Sequence, residues 1–259
     1  MAIFKHADRR PHGIPRAMAG VKSSGGLVLA TLGFLAACSP SQPDAASRQG
    51  EAAQTPPAIA GNPANQGLDD AASAAENLVE AVLADDKVAG DKAYSALQDA
   101  MSGLSEAKLG KDAATIGALQ QSVVDGWAAD DRPAAAMAAV SLYSRLQQAK
   151  DWSNATVPLA VSMLDHAGFK SQLLVAQTPI DWAELSKTAD EARKNLTAIE
   201  TTIGDQNLKQ VASGIIDHLA AGVKTKDAAR VQAAAGDLLA VVDLLEQQFQ
   251  RQATKAAPK

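Results

Sequence analysis

Two long stripes of apolar residues constrain the fold of this chain more than any other feature of its sequence. Their members are separated by alternating intervals of three and four residues, a spacing that keeps side chains on one face of an α-helix. The first stripe comprises Trp182, Leu185, Ala189, Ala192, Leu196, Ile199 and Ile203, and the second comprises Val231, Ala235, Leu238, Val242, Leu245 and Phe249. Each stripe predicts a long amphipathic helix that buries its apolar face against other helices.

Weaker stripes of the same kind predict further helices, whereas no run of β-branched residues has the period of two that strands require. Aspartates followed by alanine-rich sequence mark helix starts, because an aspartate can accept hydrogen bonds from the first turn. We assign this N-cap role to Asp91, Asp112, Asp131 and Asp227, with Pro133 tolerated in the first turn that follows Asp131. Helices are predicted at residues 67–86, 91–104, 111–128, 132–150, 156–176, 181–203, 207–223 and 227–251.

The short links between these segments predict an all-α fold, an antiparallel helical bundle of about seven to eight helices. Residues 150–156 interrupt the helical pattern. They are either a hinge between two four-helix units or a longer loop within one bundle. Residues 78–97 and 215–238 each contain a helix, a charged turn and an alanine-rich helix, which hints at an internal duplication.

Composition changes sharply before the first predicted helix. Residues 39–66 are mostly Pro, Ala, Gln, Ser, Gly and Asn, and such a segment buries too little apolar surface to offset the entropy of ordering it. We therefore predict a flexible tether at residues 38–66, a helical bundle domain at residues 67–252 and a disordered tail at residues 253–259.

The N-terminal region has the pattern of a secretory signal. Five Lys or Arg residues precede an apolar run at residues 25–37, which is far shorter than the ~20 residues of a membrane-spanning helix. The run ends in Leu35, Ala36, Ala37 and Cys38, and the whole segment resembles a bacterial lipoprotein signal with its lipobox. The resemblance implies that residues 1–37 are a signal peptide removed from the mature protein, and that Cys38 is lipidated. Met18 is an alternative start.

The lipid anchor also implies a location. An acyl chain such as palmitate contributes about 0.8 kcal/mol per buried methylene, so two or three chains on one cysteine hold a protein on a membrane permanently. Ser39 follows the cysteine where an aspartate would favour retention at the inner membrane. The resemblance therefore implies the periplasmic face of the outer membrane of a Gram-negative bacterium, with the inner membrane as the alternative.

Charge and aromatic content argue against several classes of partner. Removing five basic residues and one acidic residue from the chain's 24 and 29 leaves 19 and 28, a net charge of −9. A surface this acidic repels phosphate backbones, and seven scattered aromatic residues cannot form a stacking platform. We therefore expect no nucleic-acid binding.

The sequence offers little for catalysis. The mature chain keeps two histidines, His166 and His218, and it contains no Gly-x-Ser-x-Gly elbow, His-Glu-x-x-His pair or Walker loop. We therefore expect that the protein is not an enzyme.

One pair of helices nevertheless carries candidate ligands. His218 lies seven residues after Val211 and three after Ile215, which predicts a position on the apolar face, and Asp165 lies at the edge of a buried stripe. A buried Asp165 needs a partner, which Arg145, Tyr143 or His218 could supply. His218 with Asp165 or Met163 could bind a metal or a b-type haem. We favour the alternative, a buried polar pair that fixes helix register, and predict no bound cofactor.

These observations predict a membrane-anchored periplasmic lipoprotein with a non-catalytic helical binding or interaction domain. Its expected partners are the membrane, through the lipid anchor, and a periplasmic protein. The alternative is a metal- or haem-binding helical bundle.

Overall fold

The computed structural model describes residues 62–256, so the predicted signal peptide, Cys38 and the tether up to residue 61 lie outside the described residues. Helices dominate this range, and a 3₁₀ turn at Gly110–Asp112 precedes the fourth. The helices are α1 (Gln66–Leu83), α2 (Lys87–Ser102), α3 (Glu106–Leu109), α4 (Ala113–Ala128), α5 (Arg132–Ala149), α6 (Leu159–Ala176), α7 (Trp182–Ile199), α8 (Gln206–Thr225) and α9 (Ala228–Ala256). None of them is both long and apolar enough to cross a membrane.

The predicted all-α bundle is confirmed, but several predicted helix boundaries were wrong by three to five residues, among them the ends of α1 and α7 at Leu83 and Ile199 and the start of α6 at Leu159. Helix α2 begins at Lys87 rather than at residue 91, because the side chain of Asp86 accepts from the first turn, at 3.0 Å from Ala89 N. The N-cap role predicted for Asp91 was therefore wrong, since this residue lies inside α2. Helix α9 continues to Ala256 through part of the segment predicted as a disordered tail. No proline interrupts that segment before Pro258, so the helix can continue.

Aspartate side chains start most of the long helices. Asp131 and Asp227 accept from the first turns of α5 and α9, as predicted, at 3.1 Å from Ala134 N and Arg230 N. Asp112 occupies the N-cap position of α4 but makes no capping hydrogen bond with its side chain. Two further aspartates, Asp181 and Asp205, cap α7 and α8 in the same way and were not predicted.

The core divides into two halves within one compact unit. Helices α1, α2, α4 and α5 surround the first cluster of buried apolar residues, and α6 to α9 surround the second. Helix α6 contributes to both, since Phe169 and Leu173 belong to the first cluster while Val161 and Leu164 belong to the second. The fold is therefore two four-helix halves that share α6, and the link at residues 150–158 connects them.

The start of α1 is fastened to this link. Asn65 Nδ2 donates to Asp151 O at 2.8 Å, and Asp151 N donates to Asn65 Oδ1 at 2.9 Å. Lys150 Nζ lies 2.7 Å from Asp69 Oδ1, and Trp152 Nε1 donates to Gln147 O at 2.7 Å. The residues just before α1, predicted as the end of a flexible tether, are thus held in place.

Candidate functional site

The two halves meet where α5 packs against α6, a contact that we call the seam. Two faces of these helices carry polar side chains beside it. Toward α1 and α9 lies an acidic cluster, which consists of Glu76, Asp165, Asp243 and Glu246. Toward α4 and α7 lies the seam groove, whose lining includes Leu119, Arg145, Gln148, Met163, His166 and Lys194.

Asp165 is the most deeply buried member of the acidic cluster, with 8% of its surface exposed. Its Oδ2 accepts a hydrogen bond from the hydroxyl of Tyr143, at 3.1 Å. Burial, followed by repulsion from Glu76, raises the pKa of Asp165 well above its ordinary value, and the Tyr143 hydrogen bond offsets only part of this. Tyr143 was one of three partners that the sequence suggested for this carboxyl group.

Sequence reasoning missed the other three members of the acidic cluster, which are Glu76 of α1 and Asp243 and Glu246 of α9. The pKa of Glu76 is raised to about 7, first by burial and then by the negative charges of Glu80, Glu246 and Asp243. The positive charge of Lys150 lowers this pKa but does not cancel the rise. Lys150 is itself paired with Asp69. Because their pKa values are raised, Glu76 and Asp165 hold protons at pH values where exposed carboxyl groups have lost theirs.

His218 does not join this cluster, and its predicted burial was wrong. It is exposed on α8, whose buried residues are Ala212, Ile216, Leu219, Gly222 and Val223. Val211, which was used to place the histidine on the apolar face, is 52% exposed. Among the described helices, α8 packs against α7 and α9 and is not an immediate neighbour of α6. The structure therefore does not bring His218 together with Asp165 or Met163.

Met163 instead lines the seam groove, beside a small network of polar groups on α5. Gln148 Nε2 donates to Ser144 Oγ at 3.0 Å, and Arg145 Nη1 donates to Gln148 Oε1 at 3.4 Å. The sulfur of Met163 accepts from Ser144 Oγ at 3.8 Å and from Gln148 Nε2 at 3.9 Å. These contacts hold the α5 and α6 walls of the groove against each other.

The seam groove has a volume of about 680 Å³ and is the meeting point of four helices. His166 lines the groove from α6. Burial, and then the charge of Lys170, lowers the pKa of His166 to about 4, so its imidazole is neutral at pH 7. A spacing of three or four residues puts Leu159, Met163, His166 and Lys170 on one face of α6, a pattern that could have identified this wall from sequence.

Comparison of the chain with models of protein families, with curated proteins and with solved structures gave no match. The seam groove and the N-terminal sequence are therefore the basis for proposing a function.

Proposed function

We propose that this protein is a lipid-anchored, non-catalytic binding module on the periplasmic face of the outer membrane, and that its binding site is the seam groove. The observation that carries the proposal is the groove itself. Its volume of about 680 Å³ falls within the range of ~300–1,000 Å³ that is common for ligand sites. It also lies between the helices of a bundle, which is a frequent position for such sites. The anchor rests on the lipobox sequence that ends at Cys38.

The chemistry of the groove favours binding over catalysis. Its buried hydroxyl, that of Ser144, contacts the amide of Gln148 and the sulfur of Met163, neither of which can act as a general base. A nucleophilic serine needs a base within hydrogen-bonding distance, and neutral His166 makes no such bond within the described part of the chain. The groove thus presents hydrogen-bond donors and acceptors to a bound molecule, but among the residues described it holds no general base positioned to activate the Ser144 hydroxyl as a nucleophile.

Site-specific photocrosslinking tests this proposal. Gln148, which is exposed on the groove wall, is replaced by p-benzoylphenylalanine, and illumination of intact cells of the native host should then link this position covalently to the bound ligand. In the matched control, p-benzoylphenylalanine replaces Asp99, which is also exposed but lies on α2, away from the seam. Adducts are detected as an increase in the intact mass of the purified protein, which resolves small molecules as well as macromolecules, and are identified by mass spectrometry. Equal labelling at both positions, or no adduct at position 148, contradicts the proposal.

A further inference from the structure

The charge of the seam groove is opposite to that of the surrounding chain, whose formal net charge is −5. Its ionisable lining residues are Arg145, His166, Lys170 and Lys194, with Glu191 as the single carboxylate. Because burial and Lys170 keep His166 neutral, it contributes no charge at pH 7. The remaining groups give the groove an excess of positive charge in an otherwise acidic protein.

Two of the three positively charged side chains in the groove are available to a ligand. The third, Lys170, already forms a salt bridge, since its Nζ lies 2.7 Å from Glu184 Oε1. Arg145 of α5 and Lys194 of α7 form no salt bridge with any carboxylate in residues 62–256. Within the described residues, Arg145 makes one hydrogen bond to a side chain, to Gln148, which is long at 3.4 Å and leaves most of the guanidinium N–H groups available.

The rest of the lining indicates what such a ligand would carry besides a negative charge. Leu119, Leu159 and Met163 supply apolar surface within the same groove as the cations. A bare inorganic ion would leave this apolar surface in contact with water. An organic anion would cover it while its oxygen atoms bond to the guanidinium and ammonium groups, which are strong donors to carboxylate and phosphate.

We propose that the seam groove binds a small organic oxyanion, in which a carboxylate or phosphate group is attached to a hydrocarbon body. Arg145 and Lys194 hold the oxyanion from opposite walls, and Leu119, Leu159 and Met163 contact the hydrocarbon. This inference rests on the proposed function, which puts the ligand in the groove, and adds the chemical class of that ligand.

Titration calorimetry of the purified full-length protein in non-ionic detergent tests the class with three probes of equal chain length. These are butyrate, butyl phosphate and uncharged 1-butanol, each titrated against protein and against detergent alone. We expect saturable binding of butyrate or butyl phosphate and none of butanol. Comparison of the two anions shows whether the head group is a carboxylate or a phosphate.

Charge-removing variants connect the binding to the groove. Arg145→Gln and Lys194→Gln should each weaken anion binding about tenfold or more, because each removes a charged donor. Both residues are exposed, so their replacement should leave the helical circular dichroism spectrum unchanged. The matched controls are Arg251→Gln and Lys255→Gln on α9, both exposed; Arg251 also donates to a glutamine, Gln248, at 3.3 Å.

The oxyanion proposal is overturned if the wild-type protein binds neither anion saturably, or if the Arg145 and Lys194 variants bind as the wild type does. Its failure is distinct from failure of the proposed function. A crosslinked adduct at position 148 without anion binding rejects only the oxyanion class. Absence of that adduct rejects occupancy of the groove in the cell, even if the purified protein binds butyrate.

Discussion

At the scale of single residues, the acidic cluster is the least ordinary part of the molecule. Asp165 is buried with one donor, Tyr143, and Glu76 faces carboxylates on α1 and α9 with Lys150 as the counter-charge. Both carboxyl groups are therefore more easily protonated in the folded protein than in the unfolded chain. In the pH range where the folded protein keeps such a proton and the unfolded chain has lost it, stability falls as the pH rises.

We therefore expect the free energy of unfolding to fall between about pH 5 and about pH 8, as Glu76, with its pKa raised to about 7, ionises in the folded state. Glu76→Gln should flatten this decline and stabilise the protein at the upper end of the range, because an amide cannot ionise. Urea unfolding at several pH values measures both effects. Glu106→Gln, at an exposed glutamate of α3, is the control. An unchanged pH profile for Glu76→Gln would show that this carboxyl group is not ionising within the fold.

At the scale of elements, three helical hairpins are built on one turn. Residues 85, 130 and 226 each have a left-handed backbone, with φ of 53°, 56° and 54°. The aspartate that follows each of them donates its N–H to a carbonyl five residues earlier and caps the next helix with its side chain. The three backbone bonds join Asp86 to Ala81, Asp131 to Gly126 and Asp227 to Gly222, all at 2.9 Å.

The repeated turn also sets which residues enter the core. The residues eleven positions after the three aspartates are Leu97, Leu142 and Leu238, and those eight positions before are Leu78, Val123 and Leu219. All six have 0% of their surface exposed. The similarity between residues 78–97 and 215–238, noted in the sequence, thus reflects a common hairpin geometry. The α4–α5 hairpin has the same geometry.

Close approach of the two helices in such a hairpin depends on a small residue near the turn, which Gly126 illustrates. A Cβ atom at this position would lie 2.8 Å from the backbone nitrogen of Ala135, too close for either helix to accept without moving. Gly126→Ala should therefore destabilise the protein by about 1–3 kcal/mol in urea or thermal unfolding.

Gly117 is the matched control, because it lies on the same helix with nothing within 4 Å of its Cβ position. Gly117→Ala should leave stability unchanged or raise it by up to ~1 kcal/mol, since alanine is the better helix former. Equal effects of the two substitutions would refute the close contact between α4 and α5.

At the scale of the whole molecule, the N-terminal side of the domain meets the seam. Asn62 and Asn65 bond to Asp151 in the link between the two halves. The first described residues therefore lie beside the end of the seam where Gln148 and Leu159 line the groove.

We expect Cys38→Ser to release the protein into the soluble fraction and to block removal of residues 1–37, because a serine cannot form the lipid thioether. Cell fractionation with immunoblotting measures the release, and intact-mass analysis measures processing. Ser41→Ala, three residues beyond, should remain on the membrane and be processed normally. A Cys38→Ser protein that still sediments with membranes would refute lipid anchoring at this residue.

The sequence by itself determined the elements of this protein, because helical periodicity and aspartate capping are local properties. The Trp182–Ile203 and Val231–Phe249 stripes predicted two helices whose apolar faces are buried, and Asp131 and Asp227 marked helix starts correctly. Asp165 could be recognised as a buried carboxyl group in need of a partner, since its position on the stripe is also a local property.

Only the tertiary structure decided which face of each helix is buried and which side chains of different helices lie close together. Helix α8 carries apolar residues on more than one face, and its packing against α7 and α9 leaves His218 and Val211 in water. The packing of helices brings Glu76 close to Asp165 and places Arg145 and Lys194 along the same groove, although the paired residues lie far apart in the sequence. Periodicity shows that a helix has an apolar face, but the neighbour that buries it depends on the packing of the whole bundle.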